Sequence, residues 1–484
     1  MTKGGMARWQ RLWLPFLTVV VVTLLVLALL GSWQQPQTQN VLQLRAVELQ
    51  LQASVWRGKE KFSQWFGPST LAQAEQVYRR QQELGPKALL TPAQAEQGLW
   101  LAVRLGVIQA ARGEVAQAQR TWQAVQQQQP PASLRQTVQV LQGLWGEPPL
   151  IYPEAEPLLA EHLSGWFEQV ALLRLYRLQQ RQAEEVALLA EQQKLAAEAV
   201  NRLVLLVGFP LLGGTVGTLI AIALGMRWLM GGRPSLWGRA ELLGWSVPWG
   251  LEVVMQVMVL WFAAFFGLGQ VGVPLLVHWL GGGDWVQTPL GKAVYVLMSY
   301  TLLVAAGVGI LLANLRSYQP LGSHWFDLRW RWRTWVWGVG GYLVAQPLVF
   351  VASWLNQVLL QGRGGGNPLI PLLAQTQDPW VVAIFALVIV VLAPLYEETI
   401  FRGFLLPSLT RQLPLGAAVL VSAGVFALAH RSVADLLPLT VLGILLGFVY
   451  TQERGLWAPI LLHGLWNGGS LVALLLLGNG GFSG

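Results

Sequence analysis

Runs of about 20 apolar residues recur along this chain, and no other feature restricts its fold as much. A helix that crosses the ~30 Å hydrocarbon core of a bilayer needs about 20 residues, and it satisfies its own backbone polar groups. Such runs occur at 12–30, 203–226, 242–266, 290–313, 335–360, 380–406, 414–431, 436–450 and 456–477. They predict an all-α, polytopic helical membrane protein with nine crossings. The segment Val271–Leu280 is too short to cross and reads as re-entrant or interfacial. Charged residues are 12% of the chain, against roughly 25% in soluble domains. The 25 Trp and 52 Gly suit helices that anchor at interfaces and pack closely.

Four regions follow from this pattern. Residues 1–33 form an N-terminal membrane anchor: Lys3, Arg8 and Arg11 precede the first apolar run. The run is long for a signal peptide and has no small-x-small site after it, so an uncleaved span with a cytoplasmic N-terminus is the preferred reading. Residues 34–202 are rich in Gln, Ala, Leu and Glu and predict an N-terminal Gln-rich helical soluble domain, with a stop at Gln126–Gln129 and Pro130–Pro131. Within it, Leu105, Gly106, Gly113, Ala118, Trp122 and Pro130 match the small and large positions of one tetratricopeptide (TPR-like) helical pair. Stable arrays need about three such units. A surface for a protein partner and a plain helical spacer therefore both stay open. Residues 203–334 hold additional transmembrane helices and loops, and 335–477 carry the chemistry described below.

Arginines fall on alternate loops. Arg227, Arg233 and Arg239 follow the second span; Arg316, Arg329, Arg331 and Arg333 follow the fourth; Arg402 and Arg411 end the sixth, and Arg454 ends the eighth. The positive-inside rule then puts residues 34–202 outside the cytoplasm. This placement also accounts for the net charge of +8 without nucleic acid. With no cysteine, the chain has no disulfide, thiolate metal site or cysteine nucleophile. The expected location is a plasma membrane or a thylakoid-like internal membrane.

Ionisable residues inside spans are costly and call for a reason. Glu252 is one isolated case, read as interfacial or bonded to a neighbouring helix. The others converge near the C-terminus. In VLAPLYEETIFRGFLLP, Glu397 and Glu398 point about 100° apart on a helix, and Glu398 and Arg402 share a face at the favourable i,i+4 spacing. The pair predicts an internal salt bridge that leaves Glu397 free as a base, with a kink at Pro394 opening room for water. Phe426 and His430 share a face in FALAH, as do His463 and Asn467 in HGLWN. At 1.5 Å per residue, Glu397, His430, His463 and Asn467 fall at overlapping depths and predict one cavity nearer the cytoplasmic face. The remaining histidines, His162, His278 and His324, read as structural.

EETIFR, FALAH and HGLWN, complete and in order, resemble the three motifs of the CAAX-processing and bacteriocin-processing (CPBP, Abi-like) family of intramembrane proteases. The resemblance covers roughly residues 335–477, and the extended N-terminal part is similar to that of cyanobacterial and plant members. It implies a metal-independent, glutamate-dependent peptidase acting on membrane-associated proteins or peptides. In that reading Glu397 and His430 activate water, and His463 and Asn467 bind the oxyanion. Glu398 and Arg402 support the helix, and Phe426 completes its motif. No cofactor or metal is implied. A zinc site built from one Glu and two His is the competing mechanism, although no HExxH pattern is present. Two further readings stay open: a catalytically silent scaffold that recruits partners through residues 34–202, and a transporter, for which neither full-depth polar lining nor an inverted repeat is visible.

Overall fold

The computed structural model describes residues 10–35, 70–84, 92–230, 245–281, 283–322, 325–361, 363–365, 373, 376 and 378–478. Among them the chain is helical. In order the helices are α1 (Gln10–Gln34), α2 (Thr70–Leu84), α3 (Pro92–Ala111), α4 (Val115–Gln127), α5 (Ala132–Leu144), α6 (Ala155–His162), α7 (Trp166–Leu178), α8 (Gln182–Leu203) and α9 (Phe209–Met230). The membrane part continues with α10 (Leu251–Gly267), α11 (Val273–Trp279), α12 (Pro289–Leu315), α13 (Trp332–Leu360), α14 (Pro379–Ala386), α15 (Ala393–Glu398), α16 (Leu406–Leu409), α17 (Leu415–Ala429), α18 (Val433–Glu453) and α19 (Trp457–Gly478). Arg233, Arg239 and His324 lie outside the described residues.

The chain divides into two compact units. The first comprises Met1–Trp33, Pro210–Gly364 and Thr376–Val472; the second comprises Gln34–Phe209, Gly365–Gln375 and Ala473–Gly484. In the second unit, helices α2 to α7 bury Val103, Ile108, Trp122, Leu134, Leu141 and Leu159 in one core. Each such side chain contributes about 1.5–3 kcal/mol by leaving water. Trp122 lies against Gly106, where a Cβ would collide with the indole, and its Nε1 donates to the Val103 carbonyl at 3.1 Å. The small residue on α3 thus admits the large one on α4. Glu75 holds Arg79 at 2.6 Å and also binds Arg112. His162 stacks on Trp100 at 5.9 Å.

Among the described residues, eight helical runs are long and apolar enough to cross a membrane by length and composition. Two sequence expectations change. Val271–Leu280 is no separate re-entrant piece: the helix passes through a π-helical turn, Leu268–Gly272, and forms one run, Leu251–Trp279. Glycines that interrupt the apolar pattern leave the backbone hydrogen bonding continuous. The expected crossing at 414–431 is α17, 15 residues long and about 22 Å. Pro414 bounds it on one side. On the other, His430 caps it and Arg431 takes a left-handed φ of 54°. The short run at 436–450 extends to 21 residues as α18. Glu252, read at the sequence level as inside the third span, lies exposed in the first turn of α10, where a carboxylate complements the helix dipole.

Lipid tails are as apolar as leucine, so close packing and specific polar contacts hold the membrane unit together. Phe401, Phe404, Phe426, Leu446 and Tyr450 are fully buried at its centre. Trp249 Nε1 donates to Ser408 Oγ at 2.9 Å. The end of α1 is tied into the same unit: Ser32 Oγ donates to the Gly364 carbonyl at 2.5 Å and accepts from the Val433 amide at 3.0 Å. Asn356 Nδ2 donates to the Ala434 carbonyl at 2.6 Å. These bonds fix the loop that follows His430.

Candidate active site

The helix that carries the two glutamates is α-helical where they sit and passes through a wide turn on either side. Leu387–Leu392 and Thr399–Leu405 are π-helical, and the single α-helical stretch between them, α15, ends on Glu397 and Glu398. Pro394 explains the first wide turn. The Ala393 amide donates five residues back, to the Val388 carbonyl. The same register would send the next amide to Ile389, but residue 394 is proline and has none. Asn467 Nδ2 fills that place, donating to the Ile389 carbonyl at 2.9 Å. The expected kink at Pro394 therefore takes the form of a wide turn braced by α19.

Glu398 and Arg402 are both fully buried and pair at 2.9 Å, as their spacing predicts. The guanidinium also donates to the Gly443 carbonyl at 3.1 Å and lies 4.5 Å over the Phe426 ring. Phe426 touches both histidines edge-on, His430 at 4.9 Å and His463 at 5.7 Å between centroids. The arginine, the aromatic ring and the two imidazoles thus fix one another, which desolvation makes worthwhile only because the ion pair is complete.

Glu397 lies beside this assembly. Its Oε2 is 4.0 Å from Nε2 of His430 and 4.0 Å from Nε2 of His463. Those separations are too long for direct hydrogen bonds. Oε2 is buried and has no hydrogen-bond partner among the described residues. His430 Nδ1 is 2.9 Å from the Phe426 carbonyl, which only accepts, so Nδ1 carries a proton and leaves Nε2 to present a lone pair whenever the ring holds one proton. His463 Nδ1 is 2.8 Å from Glu398 Oε1. With Nδ1–H donated to that carboxylate, His463 donates from Nε2 only as the doubly protonated ring.

The three motifs thus bring together Glu397, Glu398, Arg402, Phe426, His430 and His463. Asn467 sits one turn beyond His463 and spends one of its two amide hydrogens on Ile389. Two contacts are absent from the motif reading. Glu398 holds His463 as well as Arg402. Tyr300, on α12, donates from its hydroxyl to Glu397 Oε1 at 3.3 Å. A single tyrosine in an apolar span carries no periodic signal, and only the three-dimensional packing of α12 reveals it. Among the described residues, no three His, Cys, Asp or Glu side chains are grouped to hold a metal ion.

Comparison with known proteins bears on the same segment. Residues 379–469 match the family model described as Type II CAAX prenyl endopeptidase Rce1-like. YdiL of Bacillus subtilis (strain 168), named as a candidate membrane peptidase, is 29% identical over 133 residues, which are 27% of this chain and 53% of YdiL. The match thus spans about half the length of that relative. The membrane-embedded CAAX protease MroQ of Staphylococcus aureus (strain USA300) is 26% identical over 197 residues, 39% of this chain and 76% of MroQ. An uncharacterized 24.3 kDa protein of Escherichia coli is 28% identical over 238 residues, 46% of this chain and 88% of that protein. No solved structure matches significantly.

Proposed function

Through residues 379–469 the chain belongs to the Rce1-like family of CAAX proteases, and from that premise we propose that it is an intramembrane endopeptidase that cleaves membrane-associated proteins or peptides with water activated by Glu397 and His430. The observation that carries the reading is the paired separation of 4.0 Å from Glu397 Oε2 to the two imidazole Nε2 atoms. One water oxygen, about 2.8 Å from each group, spans such a distance. Glu397 Oε2 and His430 Nε2 are both acceptors, so together they take both hydrogens of that water. One lone pair can accept from His463 Nε2, and the other is left to attack the substrate carbonyl.

The chemistry follows from this arrangement. Glu397 removes a proton as the water oxygen bonds to the carbonyl carbon, and the carbonyl electron pair moves onto oxygen. His463, held at Nδ1 by the Glu398 carboxylate, donates from Nε2 to that oxyanion, and the second amide hydrogen of Asn467 is the other donor. Glu397 then passes its proton to the amide nitrogen, the C–N bond breaks, and an amine and a carboxyl group leave. Glu398, Arg402 and Phe426 hold the donors in place. No step needs a metal or cofactor, and cleavage is expected to survive exhaustive chelation.

The test compares terminal peptides in membranes carrying the wild-type protein or E397A at equal abundance. Fragments present with the wild type and absent with E397A support the proposal and identify the substrate. An unchanged set of peptides, with biological function retained in E397A, H430A and H463A, overturns it. A scaffold that works through residues 34–202 then becomes the reading to pursue.

A further inference from the structure

We infer that Tyr300 is a positioning residue for Glu397, supplied by a helix that lies outside the segment matching the family model. The inference rests on the peptidase reading above. The register of α12 against the active helix is fixed one turn beyond Tyr300. There the Tyr396 hydroxyl donates to the Leu303 carbonyl at 3.2 Å and accepts from Trp261 Nε1 at 2.7 Å. Gly307, a further turn along, makes that approach possible, because a Cβ there would collide with the Tyr396 hydroxyl. With α12 pinned in this way, the Tyr300 hydroxyl reaches Glu397 Oε1 at 3.3 Å, and the Tyr300 and Tyr396 rings meet edge-on at 6.1 Å.

The consequence for Glu397 is a division of labour between its two oxygens. Oε1 is occupied by Tyr300. Oε2 faces both histidines at equal distance and has no other partner among the described residues. A glutamate has three rotatable side-chain bonds, and among the described residues no arginine or backbone amide hydrogen-bonds this one. Without the tyrosine hydroxyl the carboxylate is free to turn Oε2 away from the water. Misplacement of a catalytic group by about 1 Å costs on the order of 100-fold in rate. The hydroxyl bonds Oε1, whereas the proposed water sits at Oε2, so its effect is expected to fall on turnover more than on binding.

The experiment measures initial rates in proteoliposomes with a quenched fluorescent peptide built on the cleavage sequence found in the E397A comparison. Y300F is expected to lower kcat by about 10- to 100-fold, with KM within twofold and an unchanged melting temperature. G307A, which pushes α12 away from Tyr396, is expected to lower kcat in the same way, and the double variant is expected to lose little more than either alone. G307A carries the test by itself if Y300F does not fold. A Y300F enzyme with wild-type kcat overturns the assignment while E397A remains inactive. Cleavage by E397A at the wild-type rate overturns the peptidase reading instead, and the assignment with it.

Discussion

Arg402 has four neighbours that matter: Glu398, the Gly443 carbonyl, the Phe426 ring and, through Glu398, His463. It is fully buried, so removing either member of the ion pair strands a charge with no water to receive it. R402A and E398A are each expected to cost about 3–5 kcal/mol, read as a lower melting temperature in detergent and lower abundance in membranes. E397A is expected to melt like the wild type, because among the described residues Glu397 makes one side-chain hydrogen bond, to Tyr300. If R402A is as stable and active as the parent, the supporting role is wrong. The salt bridge was legible in the sequence because i,i+4 spacing needs no tertiary information. The bond from Glu398 to His463 was not, because it joins residues 65 apart whose meeting depends on how α19 packs. Asn467 shows the limit of motif reading more sharply. Its type and spacing point to an oxyanion donor, yet one of its hydrogens serves a carbonyl orphaned by Pro394.

Among the elements, the loop before α13 is held by one carboxylate. Asp327 accepts from Arg329 at 2.8 Å and from Arg331 at 2.6 Å, and its own carbonyl accepts from the Leu456 amide at 2.9 Å. The hydrogen bonds from Arg329 hold the Asp327 carboxyl down at about 2, against an ordinary 3.8. A depressed folded-state value means that the stabilisation is fully present above pH 3.8 and is lost as pH falls through 2. D327N is therefore expected to melt below the wild type at neutral pH. The difference should close as pH is lowered from about 4 to about 2, followed by tryptophan fluorescence in detergent. A gap that persists at pH 2 would assign the difference to packing and not to charge. The helices themselves were legible from apolar run length. Their wide turns were not: a π-helical turn and an α-helical one have the same composition, and only Pro394 hinted at where the register changes.

For the whole molecule, the alternation of arginines between loops predicts that residues 34–202 face away from the cytoplasm. Protease added to sealed vesicles of known orientation is expected to digest that region from the non-cytoplasmic side only. Digestion from the cytoplasmic side alone would reverse the first span. The general architecture was readable because apolar runs report on a bilayer directly. The site was readable in part, since three short motifs mark its helices, whereas α12 enters it and the end of α1 ties the loop after His430 without any local signature. The order in which these pieces leave the ribosome has a consequence of its own. The loop after His430 is held by Ser32, 401 residues earlier, and the glutamates wait for His463 from the last described helix. A nascent chain that has passed His430 but not His463 carries Glu397 and His430 without the contacts that α19 provides. On the peptidase reading, translation and insertion of all the preceding spans therefore come before the site is complete.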